Sequence, residues 1–294
     1  MKTSLVVGMG IGNLYAAVLD ELGHGVITVD SDPNKKADFT SVDYAIATCR
    51  MFDTVHICTP NFTHVKIARK LAACSRIIFI EKPGVATSDA WKQLVIDYPK
   101  TRFVMVKNNQ YRAEIKRFKE LAKQSSAVHL KWNNCNRIPS PGSWFTDKSL
   151  AFGGVSRDLI PHMLSYYCVL TDYTKGNKLY ANAIQRNELK DIDSTEYGVI
   201  NPNGVYDVDD FCEMEFHNGN TKYILTANWR TQQPSDISIS FDMDGRAIRF
   251  ELGLCPESAY KEMIHEAVEN LHNDVYWQEQ YEQDMWIHKQ IENL

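Results

Sequence analysis

Short apolar runs alternate with segments of helical periodicity over the first 125 residues of the chain. A short apolar run bounded by polar or glycine positions is typical of a buried strand. The alternation of such runs with helices predicts a doubly wound parallel sheet. The predicted strands cover residues 4–7, 25–29, 44–47, 54–58, 77–80 and 102–106. The predicted helices cover residues 13–22, 64–73, 88–97 and 112–123.

After about residue 126 the chain changes to longer stretches in which apolar and polar residues alternate. Such alternation is typical of an antiparallel sheet with one buried face. Asn218-Gly219 and Asp244-Gly245 each separate two stretches and predict hairpin turns. We therefore expect an α/β protein with one domain over residues 1–125 and an α+β domain, with an open, mainly antiparallel sheet, over residues 126–294. Its predicted strands cover residues 127–132, 211–216, 222–228, 237–243 and 247–252, and its helices cover residues 154–170 and one or two segments within 256–294.

A glycine-rich segment follows the first predicted strand and opens the first helix. Gly8, Gly10 and Gly12 let the backbone turn tightly and approach a pyrophosphate, whose charge is met by the amides of the helix N-terminus. The spacing departs from the strict G-x-G-x-x-G, because Asn13 occupies the last position. Asp30 ends the second strand, where a carboxylate accepts hydrogen bonds from the adenosine ribose and repels a 2′-phosphate. The first domain is thus predicted to be a Rossmann domain that binds NAD, with NADP possible; a turn-forming role is the alternative for Asp30.

Two later strand ends carry further polar residues. Lys82 follows the apolar run 77–80, and Thr59, Pro60 and Asn61 follow the run 54–58, ahead of a helix that begins at His64. Ligands of open α/β sheets bind outside the carboxyl ends of the strands. We therefore expect these residues to line the cofactor and Lys82 to lie beside the nicotinamide. The alternatives are ordinary turn chemistry at residues 59–61 and a surface lysine at position 82.

Asp158 and His162 are four residues apart in a segment that follows Gly153-Gly154. On one helix this spacing places both side chains on one face, about one turn apart. An imidazole of near-neutral pKa can take the proton of a substrate hydroxyl, Lys82 can polarise the same oxygen, and Asp158 can bind a neighbouring hydroxyl. A solvated acid with a core histidine is the alternative. Pro161 predicts that the helix begins late or bends.

Composition narrows the choice of class and partner. The chain has 294 residues, 44% hydrophobic and 23% charged, with a net charge of −5, which disfavours a nucleic acid partner. Seven cysteines without a CxxC pair predict reduced thiols, neither a disulfide framework nor a metal site. No stretch approaches the roughly 18 apolar residues of a membrane span, and the N-terminal segment does not resemble a secretory signal, so we expect a cytoplasmic protein without a membrane partner.

Four stretches resemble the Gfo/Idh/MocA oxidoreductases, which include glucose-fructose oxidoreductase and inositol 2-dehydrogenase. They are residues 53–64, the tripeptide Glu81-Lys82-Pro83, the segment from Gly153 to His162, and residues 208–211 with 216–219. The resemblance implies Lys82 and His162 as the catalytic pair, Asp158 as a substrate ligand, and Glu81 and Asn108 near the cofactor. It also implies a second domain that binds substrate and forms a homodimer or homotetramer. Asn109 and Gln110 stand where many members have arginines, and Pro161 replaces a frequent glycine.

The sequence thus predicts an NAD(P)-dependent oxidoreductase that transfers hydride between the nicotinamide and a secondary hydroxyl of a sugar, cyclitol or nucleotide sugar. Candidate substrate contacts are Tyr111, Trp144, Arg157 and Trp229, which core packing explains equally well. Two alternatives stay open: a glycosidase that recycles tightly bound NAD, and a non-catalytic sensor of a dinucleotide or a sugar.

Overall fold

The computed structural model describes residues 1–173 and 176–294. Its strands are β1 (Thr3–Val7), β2 (Gly25–Val29), β3 (Phe52–Ile57), β4 (Ser75–Ile80), β5 (Arg102–Met105), β6 (Ala127–Asn133), β7 (Asn177–Ile184), β8 (Phe211–Asn218), β9 (Thr221–Asn228), β10 (Asp236–Met243) and β11 (Arg246–Glu251). Its α-helices are α1 (Gly12–Glu21), α2 (Val42–Thr48), α3 (His64–Ala72), α4 (Ser88–Asp97), α5 (Ile115–Lys123), α6 (Lys148–Ala151), α7 (Val155–Asp158), α8 (Ile160–Leu170), α9 (Glu257–Glu269) and α10 (Asp274–Ile291).

The chain divides into two compact units. The first unit comprises residues 1–111 and 256–292, and the second comprises residues 112–255 and 293–294. The predicted boundary at residue 125 therefore differs from the observed one, and the two C-terminal helices α9 and α10 belong to the first unit. The amphipathic pattern of these helices shows that they bury a face, but it does not show which sheet they pack against. Within the described residues, no helix is long and apolar enough to cross a membrane.

The first unit contains the predicted parallel sheet, with strand order β2-β1-β3-β4-β5. All four neighbouring pairs are parallel. Its central strands are continuous apolar runs because both faces are covered, and Ile77 to Ile80 are each at most 1% exposed. The strand order reverses between β1 and β3, where open sheets of this type bind their ligands.

The second unit contains a six-stranded sheet with order β11-β10-β6-β9-β8-β7. Every neighbouring pair is antiparallel except β6 and β9, so the mainly antiparallel sheet is confirmed. Both hairpin turns are also confirmed. Gly219 has φ 58°, and Asp244 and Gly245 have φ 49° and 76°, the left-handed conformation that tight hairpins require.

The sequence misjudged one element of secondary structure and missed another. The predicted strand over residues 44–47 is part of α2, which Ser41 caps by accepting a hydrogen bond from the Asp43 N–H (3.3 Å). Only Ala45 of this helix is buried, so the short apolar run is not a core strand. Strand β7 was not predicted at all. It lies at the edge of its sheet and is largely exposed, so it lacks the apolar alternation of its neighbours.

The predicted single helix over residues 154–170 is also wrong, because it is divided into α7 and α8 with Leu159 between them. The break follows from Pro161, whose ring nitrogen has no N–H to donate and which occupies the first turn of α8. The late start that Pro161 predicted is thus confirmed. Asp158 ends α7 and His162 lies in the first turn of α8, so the two residues are not on the face of one regular helix.

Candidate active site

The glycine segment after β1 has the shape of an anion cradle. A Cβ atom at Gly8 would lie 2.7 Å from the Cys58 carbonyl oxygen, and one at Gly12 would lie 2.9 Å from Val6 Cγ1. At Gly10, by contrast, a Cβ would meet no described atom within 4 Å. Helix α1 begins here without a side-chain cap and without an acidic residue in its first turn, so its amides are available to an anion. These features fit the pyrophosphate of a dinucleotide.

Asp30 and Asn13 both form hydrogen bonds to the main chain of this segment. The Asp30 carboxylate accepts hydrogen bonds from the N–H groups of Met9 (2.6 Å) and Asp32 (2.9 Å). The Asn13 amide donates to the Met9 carbonyl oxygen (2.6 Å). A carboxylate has about four lone-pair sites, so these bonds leave Asp30 able to accept from ribose hydroxyls as well. Preference for NAD over NADP through Asp30 stays a prediction.

His64 joins two turns at the carboxyl edge of the sheet instead of facing solvent. Its side chain is fully buried, with Nε2 2.8 Å from the Thr59 carbonyl oxygen and Nδ1 2.7 Å from the Gly84 carbonyl oxygen. Burial lowers the pKa of His64, and a neutral imidazole donates from only one nitrogen at a time. In the same turn, the Thr63 hydroxyl donates to the Pro60 carbonyl oxygen (2.7 Å). His64 therefore positions residues 59–61 relative to the turn that carries Lys82.

Lys82 is half-buried on a tight turn after β4. The turn is closed by a hydrogen bond from the Gly84 N–H to the Glu81 carbonyl oxygen (2.9 Å) and contains a cis Lys82-Pro83 peptide bond. The Glu81 carboxylate accepts hydrogen bonds from the Lys82 N–H (3.2 Å) and from the Tyr15 hydroxyl (2.6 Å). Burial and the Glu81 charge raise the pKa of Tyr15, so Tyr15 keeps its proton and remains a donor. Sequence reasoning missed Tyr15, which the helical pattern of α1 marks only as a core residue.

The segment after β5 carries two predicted site residues, of which Asn108 is buried and Tyr111 is half-buried. Asn108, Asn109 and Gln110 are all at most 8% exposed, and Asn108 Oδ1 accepts a hydrogen bond from the Asn109 N–H (3.1 Å). Gln110 donates to Gln283 on α10 (3.2 Å), and Tyr111 donates to Glu266 on α9 (3.5 Å). Asn109 and Gln110 are thus part of the interior of the first unit.

In the second unit, Asp209 holds the start of the helix that carries Asp158. Its carboxylate accepts hydrogen bonds from the Gly154 N–H (2.8 Å), the Ser156 N–H (2.7 Å) and the Ser156 hydroxyl (2.9 Å). A Cβ at Gly154 would lie 1.8 Å from the Asp209 carbonyl oxygen, so only glycine allows this approach. The glycine pair therefore serves close packing of two loops. Its partner Asp209 was not predicted as a site residue.

Two tryptophans contact the predicted catalytic side chains of the second unit. The Trp229 indole N–H donates to the Asp158 carboxylate (2.9 Å), and Trp132 stacks on His162 with ring centroids 5.3 Å apart. Trp132 belongs to β6 and Trp229 directly follows β9, the strand that pairs with β6 in parallel. The structure thus brings together Asp158 and Trp229, which were both predicted as site residues. Trp132 was missed, although its place at the end of an alternating stretch next to polar residues is a usable signal.

The remaining candidates have other surroundings. Arg157 is 4% exposed, and its Cγ lies against Gly153, where a Cβ would approach to 2.8 Å. Trp144 is half-buried and stacks on Phe145 with centroids 3.9 Å apart. Neither observation distinguishes a substrate contact from packing, so both roles stay predictions.

Comparison with known proteins agrees with this description. Residues 5–107 match the Gfo/Idh/MocA model, described as an oxidoreductase family with an NAD-binding Rossmann fold. This part of the chain is thus similar to the Gfo/Idh/MocA family, described as NAD-binding, and the predicted resemblance is confirmed there.

One relative matches about half of the chain, and solved structures match nearly all of it. A candidate UDP-kanosamine synthase oxidoreductase subunit of Amycolatopsis mediterranei is 26% identical over 151 residues, which are 47% of this chain and only 42% of that protein. The structure of GenD2 from gentamicin A biosynthesis, in complex with NAD, has a TM-score of 0.77 at 18% identity and covers 99% of this chain and 92% of its own. The WlbA dehydrogenase of Thermus thermophilus, in complex with NAD and UDP-GlcNAcA, has a TM-score of 0.71 at 15% identity and covers 100% and 95%. These two structures share the fold.

Proposed function

We propose that the protein is an NAD-dependent dehydrogenase that oxidises a secondary hydroxyl of a sugar, cyclitol or nucleotide sugar. The observation that carries this proposal is the position of Lys82 at the carboxyl edge of an NAD-binding sheet. Its turn is fixed by a main-chain hydrogen bond from Gly84 to Glu81 and by side-chain contacts of Tyr15 to Glu81 and of His64 to Gly84. The match of residues 5–107 to an NAD-binding oxidoreductase family supports it, and so does the NAD in the complexes of two proteins of the same fold.

The cofactor would be held by the glycine cradle and the uncapped N-terminus of α1 at its pyrophosphate, and by Asp30 at its adenosine ribose. Residues 59–61 would contact it on the nicotinamide side. When bound, NAD+ supplies a hydride acceptor for the carbinol carbon of the substrate. These assignments follow from the chemistry of each donor and acceptor.

The chain's own residues would manage the substrate oxygen and its proton. The Lys82 ammonium donates a hydrogen bond to the reacting oxygen and favours its deprotonated form. His162 takes the hydroxyl proton through an imidazole nitrogen while hydride leaves the carbon, so the carbinol loses two electrons and two hydrogens in all. Asp158 accepts a hydrogen bond from a neighbouring hydroxyl, and the indole N–H of Trp229 orients its carboxylate (2.9 Å).

The test combines binding and turnover with the purified protein. We expect NAD to bind more tightly than NADP in calorimetric titrations, and NADH absorbance to rise with at least one member of a panel of sugars, inositols and UDP- or GDP-sugars. His162→Asn and Lys82→Met should retain NAD binding within about threefold and lose about a hundredfold or more in kcat. Tight NAD binding without net reduction by any panel member, or unchanged turnover in both variants, would contradict the proposal.

A further inference from the structure

Helix α10 carries a row of buried polar side chains. Gln280 and Gln283 are each 6% exposed, and Asp284 and His288 are 0% exposed. Burying polar groups is unfavourable unless they are hydrogen-bonded, so the partners of these side chains show what the helix holds in place. The partners of Gln283, Asp284 and His288 belong to the two segments of the first unit that carry Lys82 and Asn108.

His288 contacts the Lys82 turn directly. Its Nδ1 lies 2.6 Å from the Asp284 carbonyl oxygen, which can only accept, so Nδ1 carries the proton. Its Nε2 is then an acceptor and receives the N–H of Val85 (3.1 Å), three residues after Lys82. The imidazole stacks on Trp91 with centroids 5.1 Å apart, which fixes the plane of the ring. Gly84 is necessary here, because a Cβ would lie 2.5 Å from His288 Nε2.

Asp284 contacts the end of β5. Its carboxylate accepts a hydrogen bond from the Met105 N–H (3.0 Å) and forms an ion pair with Lys107, which immediately precedes Asn108. Both charged side chains are almost completely buried, at 0% and 2% exposure. Such a pair fixes geometry strongly, because displacement of either charge leaves the other without compensation.

Glu292, which directly follows α10, extends the contact. Its carboxylate accepts hydrogen bonds from the N–H (2.6 Å) and the hydroxyl (3.1 Å) of Ser88, the first residue of α4. The C-terminal segment therefore bonds to the main chain at residues 85 and 88 on one side and at residue 105 on the other.

We propose that His288 is a positioning residue for Lys82, through which α10 fixes the turn of residues 81–85. This inference rests on the proposed function for its catalytic consequence. The start of the turn is held by Tyr15 on Glu81 and its middle by His64 on Gly84. His288 supplies the bond on the downstream side. Without that acceptor, the Val85 N–H is buried and unpaired, and the turn relieves this by moving, which displaces Lys82 from the substrate oxygen.

The test compares three variants by amide hydrogen exchange of the peptide spanning residues 81–87 and by steady-state kinetics. His288→Leu fills the space without an acceptor, and His288→Gln offers a side-chain carbonyl in its place. His24→Leu is the matched control, because His24 is also a buried histidine of the first unit (8% exposed) but bonds to Ser4. We expect His288→Leu to exchange at least tenfold faster in this peptide and to lose about tenfold to a hundredfold in kcat, with the Kd for NAD changed less than threefold. His288→Gln should recover most of both, and His24→Leu should change neither.

Unchanged exchange in His288→Leu would overturn the proposal, and so would an equal loss of kcat in His24→Leu. If the wild-type protein turns over no panel substrate, the proposed function has failed, yet the exchange data still decide whether His288 holds the turn. If His288→Leu does not fold, nitrogen NMR of the wild-type protein tests the hydrogen bond directly. A scalar coupling between the Val85 amide nitrogen and His288 Nε2 across the hydrogen bond is expected. A protonated Nε2 without that coupling would overturn the inference.

Discussion

The two units hold their predicted catalytic side chains in different ways. In the first unit, the turn of Lys82 is held through its neighbours Glu81, Gly84 and Val85 by side chains from three helices. In the second unit, the side chains of Asp158 and His162 are themselves contacted by Trp229, directly after β9, and by Trp132 of β6. Lys82 is thus placed through its backbone, whereas the acid and the imidazole are oriented at their functional groups.

Because of this difference, we expect different substitutions to affect the two arrangements. A turn fixed at several points through its main chain moves as a whole when one anchor is lost, so remote substitutions on α1, α3 or α10 should affect Lys82. A functional group that an indole contacts directly should be sensitive to substitution of that indole and of the loop that carries the group. The following variants separate these two kinds of dependence.

The largest effect is expected at Asp209, which holds the loop under Asp158 with three hydrogen bonds. Asp209→Ala leaves two buried N–H groups and a hydroxyl without their acceptor, and should lower the free energy of unfolding by about 3 kcal/mol. Asp209→Asn keeps one acceptor oxygen and should lose about half as much. Urea unfolding monitored by circular dichroism measures both. Equal stability of Asp209→Ala and wild type would contradict a stabilising role of these three hydrogen bonds.

Next comes the acid sensitivity of the first unit, which depends on the buried imidazole of His56. Burial lowers the pKa of His56 to about 3, and its ring stacks on Phe79 at 4.7 Å. Below the ordinary histidine pKa of about 6.5, His56 is protonated in the unfolded chain, whereas in the folded chain it stays neutral down to about pH 3. Stability from this group is therefore present above pH 6.5 and is lost as the pH falls, by up to about 1.4 kcal/mol per pH unit.

The check is a series of unfolding measurements from neutral to mildly acidic pH on wild type and His56→Phe. The variant keeps an aromatic ring against Phe79 but has no titratable group. The slope of its unfolding free energy against pH should therefore be smaller by the uptake of about one proton on unfolding. Parallel curves for the two proteins would show that His56 is protonated in the folded state.

A smaller effect is expected for Trp229→Phe, which removes the donor to Asp158 and keeps an aromatic ring. We expect the KM for a polyhydroxylated substrate to rise about tenfold, equivalent to about 1.4 kcal/mol, with the Kd for NAD unchanged. Trp277→Phe is the matched control, since the Trp277 indole N–H donates to the Asn270 carbonyl oxygen (2.9 Å) in the first unit. An equal rise of KM in the control would assign the effect to lost packing.

The smallest effect is expected for Trp132, which stacks on His162. Aromatic pairs contribute about 0.5–1.5 kcal/mol beyond their buried area, so Trp132→Leu should lower kcat about threefold to tenfold. Trp132→Phe keeps a ring and should retain most of the activity. If leucine and phenylalanine behave alike, the stack does not orient His162.

The sequence alone predicts much of the fold and the positions of the site. Apolar runs end where the strands end, so Gly8, Thr59 and Lys82 could be placed at the carboxyl edge of a parallel sheet before the structure was known. The helix over residues 88–97 agrees with α4 at both ends, because the apolar spacing defines it locally; its cap is Thr87, which accepts from the Ala90 N–H (3.2 Å), and not the expected Ser88. Local pattern failed for α2 and β7, which bury too little surface to carry a signal.

Partners that are distant in sequence could not be predicted. His288 contacts Val85 across 203 positions, and Asp284 contacts Lys107 across 177. Periodicity marks these residues only as polar positions on a helix. Their roles depend on which sheet that helix packs against, which is a property of tertiary packing. The same holds for Tyr15 on Glu81 and Asp209 on Gly154.

The most direct test of joint action by Lys82 and His162 is a single-turnover measurement with a panel substrate and stoichiometric NAD. The absorbance of bound NADH is followed after rapid mixing with wild type, Lys82→Met and His162→Asn. We predict rapid formation of bound NADH in the wild type, with unchanged NAD affinity but about a hundredfold or slower formation in each variant. NADH formation at the wild-type rate in either variant would contradict the assignment of that residue to hydride chemistry.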